Sequence, residues 1–217
     1  ESDARQWREM AVFYRTNAQS RVLEESFMQS GVPYKVIGGT RFYDRREVKD
    51  ALAYIRCAAN PLDEVSLKRV LNVPKRGIGD TSIRKLDAFA FARGTGFVES
   101  MRQAKDAGVS GPAVKGIAAF LEVIDSLVDC QDEPPAEVIR QILEATGYIK
   151  ELEAEETIEA AGRIENLQEL LGAAQEYARI DEFLEQVALV ADTDDIDADN
   201  RVMLMTMHAA KGLEFPV

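Results

Sequence analysis

The sequence has few of the residues that build metal centres or disulfide scaffolds. Its 217 residues include two cysteines, Cys57 and Cys130, and one histidine, His208. Two cysteines do not make a disulfide framework, so we expect a reduced, cytoplasmic compartment. Histidine, cysteine and carboxylate residues do not cluster at the spacing of metal ligands, and we therefore predict no metal site.

The sequence also lacks long apolar runs and nucleotide-hydrolysing motifs. No apolar run approaches the roughly 20 residues of a membrane span, and no signal peptide is recognisable, so no membrane association is expected. There is no G-x-x-x-x-G-K-[ST] phosphate loop. There is also no Asp-Glu pair after an apolar strand that could hold magnesium. We therefore expect that the chain does not hydrolyse a nucleotide by itself.

The charge is strongly acidic overall but unevenly distributed. The net charge of −12 argues against nucleic-acid binding if it is taken as a single number. Residues 68–85, however, hold six basic side chains against one acid, whereas residues 151–200 hold sixteen acids and two arginines. A concentrated basic region on an acidic body is typical of a selective polyanion contact, and a solvated helical face is the alternative.

The first sixty residues alternate between strand and helix patterns. A strand, an amphipathic helix and a second strand are predicted over residues 9–15, 18–29 and 33–37. Such a β-α-β unit predicts a parallel sheet with a right-handed crossover. A further helix is expected over residues 45–59, where Asn60-Pro61 ends it.

The remainder of the chain is helical until its last segment. Residues 63–191 show no convincing strand pattern, and the acidic residues 192–200 are predicted to form a surface linker. Residues 202–205 then form an apolar run typical of a strand that is buried on both faces. The pattern predicts an α/β domain that carries an inserted all-helical domain. Because the chain stops in apolar sequence at residues 215–217, we expect it to be a piece of a longer polypeptide.

Arg15 is the first candidate for function. It leaves the first predicted strand beside a helix N-terminus, where a guanidinium fork can meet a phosphate. An ordinary surface ion pair is the alternative.

The second candidate is the segment VPKRGIGDTS, residues 73–82. Gly77 and Gly79 allow a sharp turn and a close approach to a ligand. Asp80 or Thr81 can cap the next helix, which would leave unpaired amides near two basic side chains, an arrangement that suits a DNA phosphate. A tight turn between helices with incidental basic residues is the alternative.

The third candidate is the polar turn after the last strand. His208 is more often a structural residue than a ligand, and Glu214 could accept hydrogen bonds from a ribose or lie exposed. The spacing of these residues does not decide between the alternatives.

Several long blocks, in order, resemble superfamily 1 DNA helicases of the UvrD/PcrA/Rep family. AVFYRTNAQSRVLEE resembles helicase motif IV, and VMLMTMHAAKGLEFPV resembles motif V. The blocks GGTRFYDRREVKDALAYIR, VLNVPKRGIG and GRIENLQELL resemble those that lie between these motifs. The resemblance covers essentially the whole chain.

The resemblance implies a fold and an activity. Residues 1–60 and 195–217 would form part of a RecA-like parallel sheet domain, called 2A, and residues 61–194 an inserted all-helical domain, called 2B. The parent would be an ATP-dependent 3′-to-5′ DNA helicase of repair or replication. Its 1A and 1B domains lie outside this chain, and 1A would hold the phosphate loop and the Mg²⁺ ligands. A non-catalytic DNA-binding or protein-interaction module is the alternative.

The resemblance also implies roles for individual residues. Arg15 would contact the γ-phosphate of ATP as an arginine finger, Tyr14 would line the nucleotide cleft, and Glu214 would bind the ribose. Contacts with single-strand DNA, or coupling of that strand to the nucleotide, are implied for Thr206, His208 and Lys211. Contacts with duplex DNA are implied for Lys75, Arg76, Gly77, Ile78, Gly79 and Thr81. Repair or replication proteins would be further partners, at the 2B domain.

Overall fold

The computed structural model describes residues 5–128, 130, 132–191 and 200–213. The chain divides into two compact units that alternate along the sequence. The first, here called the sheet unit, comprises residues 1–49, 157–170 and 185–217, and the second, the helical unit, comprises residues 50–156 and 171–184. Three of these four boundaries fall inside helices. The predicted 2A and 2B boundaries at residues 60 and 194 stay a prediction.

Three parallel strands form the centre of the sheet unit. They are β1 (Ala11–Tyr14), β2 (Tyr34–Ile37) and β3 (Val202–Thr206), in the order β1-β3-β2. The last strand therefore lies between the first two, where its apolar run is buried on both faces: Leu204 is 0% and Met205 is 1% exposed. The predicted small parallel sheet in a mostly helical chain is confirmed, but the sequence pattern had not placed β3 in the middle.

One face of the sheet packs against the first helix, α1 (Ser20–Gln29). Tyr14, Tyr34 and Leu204 form the buried cluster of this face, and Leu23 and Phe27 of α1 pack against it. Helix α1 starts after a short 3₁₀ turn at Asn17–Gln19, so the regular helix begins two residues later than predicted. Two further 3₁₀ turns lie at Trp7–Glu9 and Phe42–Asp44.

The rest of the described chain is helical, and residues 63–191 contain no strand in the parts that are described, as predicted. The helices are α2 (Arg46–Ala59), α3 (Glu64–Val70), α4 (Asp80–Arg93), α5 (Phe97–Arg102), α6 (Pro112–Val128), α7 (Pro135–Thr146), α8 (Tyr148–Glu153), α9 (Ile158–Ala174) and α10 (Ile180–Ala191). Large buried side chains such as Leu67, Phe97 and Phe120 form the core of the helical unit. Among the described helices, none is long and apolar enough to cross a membrane.

A chain of buried polar side chains joins α1, α2 and α9 within the sheet unit. The Arg45 guanidinium, just before α2, donates to Asn166 Oδ1 at 2.8 Å and to Ser20 Oγ at 2.7 Å. The Ser20 hydroxyl donates to Glu24 Oε1 at 2.6 Å, and Asn166 Nδ2 donates to Glu47 Oε1 at 2.6 Å. All five residues are less than 9% exposed. Because buried charges are tolerated only when they are paired and hydrogen-bonded, this network fixes residues 45–47 against α1 and against the part of α9 that lies in the sheet unit.

Glu24 gives this network a testable pH dependence. Burial raises the pKa of its carboxyl above the ordinary value of 4.5, against the lowering effects of the Ser20 hydroxyl, the Phe42 amide and the Arg45 charge. The folded state therefore binds this proton more tightly than the unfolded state does. The resulting stabilisation is fully present below about pH 4.5 and is lost as the pH rises through the raised pKa of the folded state.

We expect Glu24→Gln to remove this dependence, because glutamine does not titrate. The free energy of unfolding of the variant, relative to wild type, should then shift in the variant's favour as the pH rises above about 4.5. Urea unfolding at a series of pH values measures the difference. Glu185→Gln, at an exposed position of the same unit, is the control. Parallel pH profiles for wild type and Glu24→Gln would contradict the expectation.

Candidate functional site

The carboxyl ends of the three strands meet at one edge of the sheet, here called the carboxyl edge. Tyr14, the last residue of β1, is in register with Thr206, the last residue of β3. The amide of Met207 donates to the Tyr14 carbonyl at 2.8 Å. After β2, a Cβ on Gly38 would lie 3.4 Å from the Cβ of Ala209. Open parallel sheets bind ligands at this edge, so the first and third candidate segments are brought together in the expected place.

Thr206 organises the turn that follows β3. Its hydroxyl accepts a hydrogen bond from the Ala209 amide at 3.1 Å, and its carbonyl accepts one from the Ala210 amide at 3.0 Å. The Lys211 amide donates to the His208 carbonyl at 3.3 Å, which closes the turn. The side chains of His208 and Lys211 are exposed on it. The exposed ammonium of Lys211 therefore adds a positive charge to this turn.

Arg15 adds a third basic side chain to the carboxyl edge. The amides of Arg15 and Thr16 both donate to Gln19 Oε1, at 2.9 and 3.2 Å, which fixes the backbone where it leaves β1. Residue 15 is exposed, and its guanidinium has no hydrogen bond or ion pair with the described residues. The alternative of an ordinary surface ion pair is therefore not seen in the described part of the chain.

Tyr14 points into the core. The residue is 5% exposed, and its hydroxyl is buried without a hydrogen-bond partner among the described residues. Burial, together with the nearby Glu24 charge, raises the pKa of the phenol. The contact of Tyr14 with a nucleotide stays a prediction. Glu214, the predicted ribose ligand, lies outside the described residues.

The second candidate segment forms a turn between α3 and α4 in the helical unit. The Lys75 amide donates to Glu151 Oε2 at 2.9 Å, and the Arg76 and Ile78 amides donate to Asn72 Oδ1 at 2.7 and 3.1 Å. The amides of the two basic residues are thus occupied. The amides at the start of α4, those of residues 79–81, have no hydrogen-bond partner among the described residues, and no side chain caps this helix.

Arg76 is held inside the turn. Its Nη1 donates to four backbone carbonyls at 2.9 to 3.3 Å, those of Val70, Leu71, Val73 and Pro74. Its Nη2 donates to the Tyr54 hydroxyl at 2.8 Å, and the guanidinium lies over the Phe120 ring, 5.4 Å from its centroid. Ile78 is also internal, at 2% exposure. The exposed members of the predicted duplex-binding set are Lys75, Gly77, Gly79 and Thr81.

The local charge of residues 68–85 is partly neutralised by ion pairs. Lys68 lies 2.8 Å from Asp87, and Arg69 lies 2.8 Å from Asp50. The Lys85 ammonium donates to the Gly108 carbonyl at 2.6 Å. Lys75 has no ion pair with the described residues. The free positive charge of residues 68–85 is therefore smaller than the sequence sum indicated. Its exposed side chains without an ion pair to the described residues are Lys75, Arg84 and Lys85.

The match to known families covers nearly all of this chain. Residues 2–217 match the UvrD-like helicase C-terminal domain, and the chain belongs to that family. It is 41% identical over 222 residues to the ATP-dependent DNA helicase PcrA of Staphylococcus epidermidis, a match that spans 98% of this chain and 30% of that protein. The corresponding PcrA of Staphylococcus aureus is 41% identical over 224 residues, spanning 99% of this chain and 31% of the relative. The chain thus spans less than a third of these relatives.

Proposed function

We propose that this chain is part of an ATP-dependent DNA helicase, in which it supplies one side of the ATP cleft and a duplex-contacting unit. The observation that carries the proposal is the register of Tyr14 with Thr206, because it places the segments resembling motifs IV and V side by side. The family match and the named relatives agree with it, and they do not favour a module without catalysis. The sheet unit would belong to the 2A domain and the helical unit to the 2B domain.

The carboxyl edge suits the phosphates of ATP. An exposed guanidinium at Arg15 can form paired hydrogen bonds with a phosphate that is presented from a second domain. The described residues contain no cluster of carboxylates, histidines or cysteines that could hold a metal ion. We therefore assign the Mg²⁺ ligands, like the phosphate loop, to the 1A domain, and the ribose contact to Glu214. Closing the cleft would bring Arg15 to the γ-phosphate and so tie hydrolysis to domain motion.

The turn after β3 would connect the nucleotide to single-strand DNA. Thr206 fixes this turn through two hydrogen bonds, while His208 and Lys211 remain exposed for a backbone phosphate. Thr206 is in register with Tyr14. A displacement of β3 relative to β1 would therefore move the turn that is proposed to contact single-strand DNA relative to the segment that is proposed to contact the nucleotide. Single-strand translocation with 3′-to-5′ polarity is the activity that this coupling would serve.

The turn between α3 and α4 would contact the phosphates of duplex DNA. Lys75 offers an exposed ammonium, and the first amides of α4 at Gly79 and Thr81 lie at the positive end of a helix dipole. Gly77 adopts φ +71°, a left-handed conformation that glycine tolerates without strain. Arg76 and Ile78 hold the turn from inside, so their role in DNA binding would be indirect.

Lys75→Ala in the full-length protein tests the duplex contact. Removing one phosphate contact should weaken duplex binding to a similar extent for all sequences, and reduce the slope of log affinity against log salt by about one. Fluorescence anisotropy with a blunt duplex over a salt series measures both. Lys105→Ala, at another exposed lysine of the helical unit, is the control. An unchanged salt slope in Lys75→Ala would remove this lysine from the interface.

Strand displacement tests the activity itself. The full-length protein should separate a duplex with a 3′ single-strand tail in the presence of ATP and Mg²⁺, and should leave the same duplex intact without ATP. Displacement that needs no ATP, or none under either condition, would contradict the helicase assignment. Repair or replication proteins would be the further partners, through the helical unit.

A further inference from the structure

We propose that Gly116, on α6, is a positioning residue for duplex DNA binding. Because Gly116 has no side chain, the turn of residues 73–82 can lie directly against α6. This contact sets the positions of Lys75 and Thr81 on the surface. The inference rests on the proposed function, because it concerns the same turn. It adds a residue that does not itself contact DNA.

The first observation is a backbone approach that any side chain would prevent. A Cβ placed on Gly116 would overlap the carbonyl oxygen of Arg76 and come within 3.1 Å of its carbonyl carbon and Cβ. The conflict is with backbone, which cannot rotate away as a flexible side chain could. Alanine at residue 116 therefore requires either the turn or α6 to move.

The second observation is that Gly116 lies in the middle of a stripe on α6 that faces the turn. Pro112, Gly116 and Phe120 are spaced four residues apart, and such residues share one face of a helix. A Cβ on Gly77 would lie 3.4 Å from Pro112 Cβ, and the Arg76 guanidinium lies over the Phe120 ring. Helix α6 thus contacts residues 76 and 77 through side-chain and backbone atoms on one face, from Pro112 to Phe120.

The third observation is that the turn has little freedom to absorb a displacement. The Arg76 guanidinium is bound to four carbonyls of residues 70–74 and to the Tyr54 hydroxyl. Asn72 Oδ1 accepts the amides of Arg76 and Ile78 on either side of Gly77. A displacement of the Arg76 carbonyl would therefore also displace Gly77 and the start of α4.

Local helix propensity does not explain a glycine at this position. Glycine inside a helix is less favourable than alanine. A Cβ added to either helical glycine of α9, Gly162 or Gly172, would have nothing within 4 Å, so alanine would fit at both positions. Gly116 differs from them in its contact with the turn, and this difference supplies a matched control within the chain.

The experiment compares Gly116→Ala with Gly172→Ala in the full-length protein. For Gly116→Ala we expect duplex affinity to fall by about tenfold, with a salt slope shallower by about one to two, because phosphate contacts are lost. Single-strand affinity and ATP turnover stimulated by single-strand DNA should stay at the wild-type level. Gly172→Ala should match wild type throughout. Duplex binding by Gly116→Ala that equals Gly172→Ala would overturn the proposal.

The salt slope separates positioning from loss of folded protein. Partial unfolding lowers the amount of active protein and reduces duplex and single-strand binding in the same proportion, without changing the slope. That outcome would overturn a positioning role. If Gly116→Ala does not yield folded protein, Tyr54→Phe decides, because it removes the Arg76 Nη2 acceptor and keeps the ring. A shallower duplex slope in Tyr54→Phe supports the proposal, and a wild-type slope overturns it.

The Lys75→Ala measurement distinguishes this inference from the proposed function. If Lys75→Ala and Thr81→Ala both bind duplex DNA as wild type does, the turn is not the DNA contact and the proposed function of the helical unit fails. If these two variants lose affinity and Gly116→Ala does not, the contact stands and the positioning role of Gly116 alone fails.

Discussion

ATP turnover by the full-length protein should fall by about a thousandfold when Arg15 is replaced by alanine. The Arg15 guanidinium is exposed just after β1 and has no hydrogen bond or ion pair with the described residues. Strand β1 is paired with β3. In phosphoryl transfer, an arginine supplied across a cleft stabilises charge that develops in the transition state. Its loss should therefore lower kcat much more than it weakens nucleotide or DNA binding. Steady-state ATP hydrolysis with saturating single-strand DNA measures the effect.

Two further variants make this prediction specific. Arg15→Lys keeps the charge but loses the planar fork, so it should recover only a small part of the turnover. Arg8→Ala removes an exposed arginine from the sheet unit just before β1, away from the carboxyl edge, and should leave turnover at the wild-type level. An Arg15→Ala protein that hydrolyses ATP at the wild-type rate would refute the arginine-finger role.

The second large effect concerns stability. Arg45→Met should lower the free energy of unfolding of the chain by about 3 to 5 kcal/mol, because it leaves buried partners of a charged network uncompensated. The guanidinium is bound to Asn166 and Ser20, and its charge offsets that of Glu24. Methionine keeps much of the volume and removes the donors and the charge. Urea unfolding, followed by circular dichroism, measures the change.

A double variant tests whether the network is the cause. In Arg45→Met/Glu24→Gln the carboxyl whose charge Arg45 offsets is also removed, so part of the lost stability should return. Arg8→Met, which replaces an exposed arginine of the same unit, should change the free energy of unfolding by less than about 0.5 kcal/mol. A network explanation would be rejected if Arg45→Met were no more destabilised than Arg8→Met.

Local sequence pattern predicted most of the secondary structure. The apolar run at residues 202–205 is a strand because Leu204 and Met205 are covered on both faces, which is what such a run favours. Glycine and proline marked several helix boundaries, as at α7, which begins at Pro135 and ends before Gly147. The order β1-β3-β2 could not be deduced, because strand order depends on contacts between segments that are far apart in the sequence, such as Ala11 with Met203 and Tyr34 with Val202.

The positions of the candidate segments in the fold were predicted more reliably than the directions of their side chains. Residues 73–82 form an exposed turn, but Arg76 faces inward, because the carbonyls at the end of α3 need donors and its guanidinium supplies them. Tyr14 lies at the carboxyl edge, where the first strand was predicted to end, but its side chain is buried in the core. No sequence signal pointed to Gly116, since a helical glycine does not reveal which backbone approaches it.

By itself, the sequence determined where the strands and helices form, and its ordered motifs indicated the helicase family. Both depend on residues that are near one another along the chain, through hydrogen-bonding periodicity, turn-forming residues and motif spacing. The tertiary structure alone decided that Tyr14 lies beside Thr206, that Arg45 meets Asn166, and that Arg76 rests on α6. These contacts join distant segments, and packing and the pairing of buried charges select them.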